Sequence, residues 1–210
     1  MINLILSESK RSLTYLEKII INKIKINKII LYSNKLGDVF RYVKKKKIID
    51  KLIICKTNNI NSSLINKNLK LNKSSYNIIS TYPGEIVKNF SLLKKKLLHC
   101  HPGDLPKFKG STTIYYSIIL KQKICVTIFI MNKSIDSGKI IYKKYFNCPK
   151  NLITLEKNFD NKIRSLTLIN FLKKKRNYKY RNFKDKFPPY YIAHPIIRQI
   201  ILNKKYLKNT

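Results

Sequence analysis

The sequence predicts an α/β protein with a mostly parallel sheet and helices on both of its faces. Three observations carry that expectation. Short continuous apolar runs alternate with longer segments of helical spacing from the first residue onward. The apolar runs lack polar alternation, as strands buried on both faces do. Repetition of strand, helix, strand without an internal sequence repeat is the order of a layered α/β domain.

The elements follow in chain order. INLIL (Ile2–Leu6) reads as a strand, and Leu13, Leu16, Ile19, Ile20 and Ile24 then recur at helical spacing, with Ser9 or Ser12 as N-cap. KIILYS (Lys28–Ser33) is the next strand, followed by a basic helix around Asp38–Lys47. KLIICKT (Lys51–Thr57), YNIISTY (Tyr76–Tyr82) and KLLHCH (Lys96–His101) continue the strands. A polar helix-compatible segment and a short one after Pro83-Gly84 separate them. Beyond Gly110 the pattern predicts a helix over Thr112–Leu120, strands over Lys123–Met131 and Lys139–Phe146, and a helix over about Leu152–Lys174. Residues 176–189 turn polar, aromatic and basic, which predicts a loosely packed extension. YYIAHPIIRQIIL (Tyr190–Leu202) is apolar enough to dock, with His194-Pro195 opening a helix. The expected organisation is a domain over residues 1–150 and a helical and irregular extension, 151–210, packed on it.

Bulk properties narrow the partners. The 210 residues carry a formal net charge of +35, from 45 Lys and Arg against 10 Asp and Glu. Such a charge suits nucleic acid or another polyanion. Its lysines nevertheless run the whole length among isoleucines and asparagines, which compositional drift also produces. Four cysteines without any C-x-x-C pair read as buried free thiols in a reducing compartment. No apolar run is long enough to span a bilayer, and the N-terminal one is too short for a signal peptide. These features predict a cytoplasmic protein.

Ligands of open parallel sheets bind beyond the carboxyl ends of the strands. Four segments fall there: Ser7-Glu8-Ser9, Tyr82-Pro83-Gly84, His99–Gly110 and the loop before Lys139. HCHPGDLPKFKG (residues 99–110) holds two of the three histidines. A histidine at a strand end can donate to an oxyanion or carry protons near neutral pH. Asp136, in NKSIDSGKII, is a carboxylate suited to pair with it. Zinc binding by His99, Cys100 and His101 is not expected, because alternate strand residues face opposite ways. No metal is expected.

In order, His101, Pro102, Leu105, Pro106, Phe108, Gly110, Val126, Thr127, Asp136 and Gly138 match the signature of the formyltetrahydrofolate-dependent formyltransferases. This family includes the methionyl-tRNA, glycinamide ribonucleotide and amino-sugar N-formyltransferases. The stretch resembles the family's His-Pro-Ser-x-Leu-Pro, aromatic, Gly, Val-Thr and Asp-x-Gly series over roughly residues 1–145. The resemblance implies the Rossmann-like formyltransferase fold and transfer of a formyl group from 10-formyltetrahydrofolate to an amine. It further implies that His101 donates to a tetrahedral oxyanion while Asp136 orients the imidazole and helps relay the amine proton. His99 stands where the family keeps an Asn, and is implied as a substitute donor. Gly103 replaces the family's Ser and is expected to loosen the loop. Tyr82, Gly84, Leu105, Pro106, Gly110 and Gly138 are implied to hold the donor.

The acceptor is expected to be a small-molecule amine, nucleotide-linked as in an amino-sugar nucleotide, or Met-tRNA-like. Ser7-Glu8-Ser9 lacks a glycine-rich phosphate loop, which argues against glycinamide ribonucleotide. The residues after Phe146 are too few for the tRNA-gripping barrel of the methionyl-tRNA enzymes. KFPPYYIAHP could stack on a sugar nucleotide or simply dock a terminal helix. From another class, the alternative is an inactive formyltransferase-like basic module that binds nucleic acid.

Overall fold

The computed structural model describes residues 1–68, 76–120, 123–149, 152, 154–174 and 187–203. They form two compact units, divided between His99 and Cys100.

The first unit carries strands β1 (Ile2–Ser7), β2 (Ile26–Tyr32), β3 (Leu52–Cys55) and β4 (Tyr76–Ser80), and β5 (Leu97–His101) runs out of it. These pair parallel in the order β3-β2-β1-β4-β5. The first strand lies inside, between β2 and β4, and all six of its residues are buried. Continuous apolarity is the consequence of that position, as the sequence predicts.

An apolar strand specifies burial well and register poorly. Here register has a polar device. Asn3 donates to Asn77 Oδ1 at 2.9 Å, Asn27 donates to Asn3 Oδ1 at 2.8 Å, and Asn77 donates to the Lys95 carbonyl at 2.7 Å. A slip of one residue would leave the buried Asn3 and Asn77 amides without these partners, which costs about 1–3 kcal/mol each.

Helix α1 (Lys10–Ile21) starts at Ser9, whose hydroxyl accepts from the Ser12 amide. Its inner face is Ser12, Tyr15, Leu16 and Ile19. Ile24 falls beyond the helix, because Lys23 takes a left-handed conformation (φ 55°) that ends it. Helix α2 (Asp38–Lys45) buries Val39 and Val43. Two short helices, α3 (Ser63–Asn68) and α4 (Phe90–Leu93), complete the unit.

The second unit holds α5 (Thr113–Ile119), the antiparallel pair β6 (Ile124–Ile130) and β7 (Lys139–Phe146), α6 (Asp160–Lys173) and α7 (Pro195–Leu202). A π-helical turn, Leu155–Phe159, precedes α6. His194 caps α7, its Nδ1 accepting from the Ile196 amide with Pro195 in the first turn. The expected irregular extension over 176–189 lies outside the described residues except for its last three. Cys55, Cys100 and Cys125 are buried free thiols, whereas Cys148 is exposed. Its position in the coil after β7, not in an apolar strand, accounts for that difference. The fold class is α/β, with mostly parallel strand pairing and helices between the strands.

Candidate active site

His101 ends β5 and is 3% exposed. The loop that follows is pinned group by group, as buried backbone requires. Thr113 Oγ1 donates to the Pro102 carbonyl at 2.6 Å, and Thr127 Oγ1 donates to the Gly103 carbonyl at 2.6 Å. The Leu105 amide donates back to Thr127 Oγ1 at 3.3 Å. Lys143 Nζ reaches Asp104 Oδ1 and the Leu105 carbonyl, both at 2.5 Å. The Leu105-Pro106 peptide is cis. Thr127 thus supplies both a donor and an acceptor from one hydroxyl, which Val at that strand position could not do.

This folding back brings the Phe108 carbonyl to 2.7 Å from His101 Nε2. A carbonyl only accepts, so Nε2 carries a proton in this arrangement. On the other side of the ring, Nδ1 lies 3.3 Å from Asp136 Oδ2. The same carboxylate oxygen accepts the Gly110 amide at 2.9 Å. Asp136 itself sits at φ 48°, a left-handed conformation that Asp adopts more readily than most residues. Asn132 builds the turn that presents it: its Oδ1 accepts from the Ser134 amide and the Ser137 hydroxyl, and its Nδ2 donates to the Ser137 carbonyl.

Helix α6 contributes a residue for which the sequence offered no motif. Arg164 is buried, pairs with Asp160 at 2.7 Å, and donates to the Cys100 carbonyl at 3.0 Å. It therefore anchors the strand end that carries the histidine. Burial holds His101 below the usual histidine range. The Asp136 charge and the Phe108 carbonyl oppose that shift, Arg164 adds to it, and Asp160 opposes it. A proton on Nδ1 would be shared with Asp136 Oδ2, so the carboxylate is the group that favours the charged ring against the cost of its burial.

The other expected site residues fall as follows. His99 is half-buried on β5. Tyr82 packs edge-on against Tyr32 and donates to Ser33 Oγ at 3.1 Å. Gly84 lies in an exposed turn at φ +77°, with open space where a side chain would be. Leu105 is buried with Phe129 and Ile140, so its side chain belongs to the core, and Pro106 is half-buried. At Gly138 a side chain would strike the Ile130 carbonyl, so this glycine closes the β6–β7 hairpin. Gly103 departs from expectation: a side chain there would strike the Phe108 carbonyl and come within 2.5 Å of His101 Nε2. Absence of a side chain lets the loop close on the histidine and does not loosen it.

In the first unit a cleft of about 1120 Å³ opens among the segments that follow β1, β2 and β4, lined in part by Glu8, Lys10, Asp38, Arg41 and Glu85. Glu8 does not face it as a free acid. Its two carboxylate oxygens accept the Val39 amide at 2.9 Å and the Phe40 amide at 3.0 Å, at the N-terminus of α2. Glu85 accepts from the Tyr32 hydroxyl at 2.7 Å and from the Ile60 and Tyr82 amides. Among the described residues no helix is long and apolar enough to cross a membrane.

Solved structures share this fold at low identity. Phosphoribosylglycinamide formyltransferase from Bacillus halodurans is 20% identical, with a TM-score of 0.58 over 83% of this chain and 97% of its own. An N-formyltransferase from Helicobacter canadensis, solved with folinic acid and dTDP-3-aminofucose, is 19% identical, with a TM-score of 0.57 over 90% and 71%. Methionyl-tRNA formyltransferase from Clostridium thermocellum is 14% identical, with a TM-score of 0.54 over 93% and 74%. No curated protein matches the chain in sequence. The family model described as formyl transferase matches residues 2–163, a span that takes in β1, the His101 loop, Asp136 and the Asp160 turn of α6. On that match the chain belongs to the formyl transferase family, and it is a formyltransferase.

Proposed function

We propose that the protein transfers a formyl group from 10-formyltetrahydrofolate to the amine of a nucleotide-linked acceptor, an amino-sugar nucleotide or a Met-tRNA-like molecule. One observation carries this reading: a buried imidazole whose Nε2–H already holds a carbonyl oxygen at 2.7 Å while a carboxylate stands at 3.3 Å from Nδ1. When the donor binds, its formyl oxygen replaces the Phe108 carbonyl on that proton, because both are acceptors and Nε2 carries only one hydrogen. The folate, when bound, supplies an activated formyl carbonyl. His101 Nε2–H donates to that oxygen as negative charge develops on it, from a site where burial strengthens the bond. As the acceptor nitrogen bonds to the formyl carbon and the carbon–N10 bond of the donor breaks, the amine proton passes to N10 of the departing tetrahydrofolate, while Asp136 holds the ring and favours its charged form along that relay. His99 is a second donor on the same strand. Pro106, Gly110 and Gly138, with main-chain groups around Leu105, are the donor-holding residues that the resemblance implies in the same unit as His101.

Ser7-Glu8-Ser9, after β1, has no glycine-rich turn to cradle a phosphate, which argues against glycinamide ribonucleotide. Glu8 is instead spent on the Val39 and Phe40 amides at the α2 N-terminus. The +35 charge suits an acceptor that carries phosphates elsewhere.

A formyl-transfer assay with 10-formyltetrahydrofolate against amino-sugar nucleotides, Met-tRNA and glycinamide ribonucleotide tests the reading. Turnover is expected with one of the first two and not with the third. A protein that turns over none of them, yet binds RNA with steep salt dependence, would instead be the inactive basic module.

A further inference from the structure

The segment Tyr190–Ala193 meets the loop beside the histidine in a way the reaction itself does not require. The Tyr190 amide donates to the Lys109 carbonyl at 2.8 Å, and the Ser111 amide donates to the Tyr190 carbonyl at 3.0 Å. Gly110 and Tyr190 form a parallel bridge. Between and beside these bonds, the Phe108 carbonyl faces His101 and the Gly110 amide faces Asp136. Successive main-chain groups from 108 to 111 therefore alternate between the His101–Asp136 pair and the C-terminal segment.

Side chains reinforce the contact. The Tyr190 ring stacks on Phe108 at 5.6 Å and lies 4.4 Å from the Tyr116 ring. The Ala193 amide donates to Thr112 Oγ1 at 2.8 Å, and the Tyr116 hydroxyl donates to the Tyr191 carbonyl at 3.1 Å. Only glycine fits at 110: it lies at φ +88°, and a side chain would strike the Tyr190 carbonyl. Tyr191, by contrast, is 87% exposed. The aromatic that stacks is thus engaged inward, on the loop.

We propose that Tyr190–Ala193 is a positioning strap for the catalytic pair: by holding Lys109 and Ser111 it sets the Phe108 carbonyl on His101 Nε2 and the Gly110 amide on Asp136. The strap fixes which imidazole nitrogen carries the proton and aims the carboxylate before any substrate arrives. Tyr190 is a positioning residue, acting through the loop. The proposal rests on the reading of His101 as the donor to the formyl oxygen.

The test is read by nitrogen NMR of the imidazoles in the full chain, with His101 assigned by the loss of its signals in His101→Gln. In the wild type the proton resides on Nε2, and the Gly110 and Ser111 amides exchange with water together and slowly. Independent, fast exchange of those two amides in the wild type would overturn the proposal without any variant. Tyr190→Ala is expected to move the titration of His101, which faces Asp136, Asp160 and Arg164, upward as water enters. It is expected to lower kcat by on the order of 10- to 100-fold with a smaller change in KM, as small displacements of a catalytic group do. Tyr190→Phe, which keeps the ring and the main chain, restores both. Thr112→Ala removes the Ala193 bond, and Thr112→Ser keeps it, so this pair gives the same answer should Tyr190→Ala fail to fold. A folded Tyr190→Ala or Thr112→Ala protein with wild-type His101 protonation sinks the strap. Failure of the formyl-transfer reading shows separately, as a wild type that transfers to no acceptor, because the imidazole spectra need no turnover.

Discussion

Asp136 Oδ2 stands 3.3 Å from His101 Nδ1 and accepts the Gly110 amide through the same oxygen. A single carboxylate oxygen therefore ties together the strand end, the loop after it and the turn between β6 and β7. Its side chain is 15% exposed, against 3% for the ring it faces.

Removing either member should abolish most turnover while leaving the fold. His101→Ala and Asp136→Asn are expected to lower kcat/KM for formyl transfer by about 10²- to 10⁴-fold. Steady-state assays beside circular dichroism check this. Wild-type rates in a folded His101→Ala protein would remove His101 from the mechanism.

Stability should fall on the acid side of neutrality. His101 is held below its ordinary 6.5 in the folded state because burial opposes its charge. Below pH 6.5 the unfolded chain therefore binds a proton that the folded chain does not. Stability is full above that pH and declines as pH drops towards the folded value, by up to about 1.4 kcal/mol per pH unit from this one group. Urea denaturation between pH 5 and 8, compared with His101→Gln, isolates it. An equal pH dependence in the variant would assign the decline to other groups.

Gly103 should resist substitution. A methyl group there meets the Phe108 carbonyl and His101 Nε2. Gly103→Ala is expected to cost about 1–3 kcal/mol, as overpacking does, and to release Nε2 from its carbonyl. Thermal unfolding measures the first and imidazole NMR the second.

Glu8→Ala should destabilise the first unit by about 1 kcal/mol, the usual worth of a helix N-terminal cap. The Val39 and Phe40 amides lose their acceptors. Glu8→Asp, whose shorter arm reaches less well, should fall between.

Binding of a reduced folate should raise the melting temperature. A stable analogue, 5-formyltetrahydrofolate, at about 100 times its Kd adds about 2.7 kcal/mol. An unmoved transition at millimolar analogue would count against the folate donor.

The parallel strands, their order of appearance, α1 with a serine cap at Ser9 or Ser12, and the meeting of His101 with Asp136 were legible in the residues. Each depends on a local pattern: apolar runs, helical spacing, a serine before a helix, an ordered motif. What escaped was long-range and polar. Nothing near Asn3 announces that it meets Asn77 and Asn27, nothing near Glu8 announces the α2 amides, and Arg164 sits in a helix without a signature. Gly103 was misjudged for the same reason, since its value lies in what folds over it and not in its own freedom.

By itself the sequence determined the α/β class, the strand end that bears the histidine and the acid that answers it, because burial and backbone preference are properties of short segments. The tertiary structure alone decided the protonation of that histidine. Charge on an imidazole depends on which groups surround it, and the Phe108 carbonyl, Asp136 and Arg164 come to His101 from three separate stretches of chain.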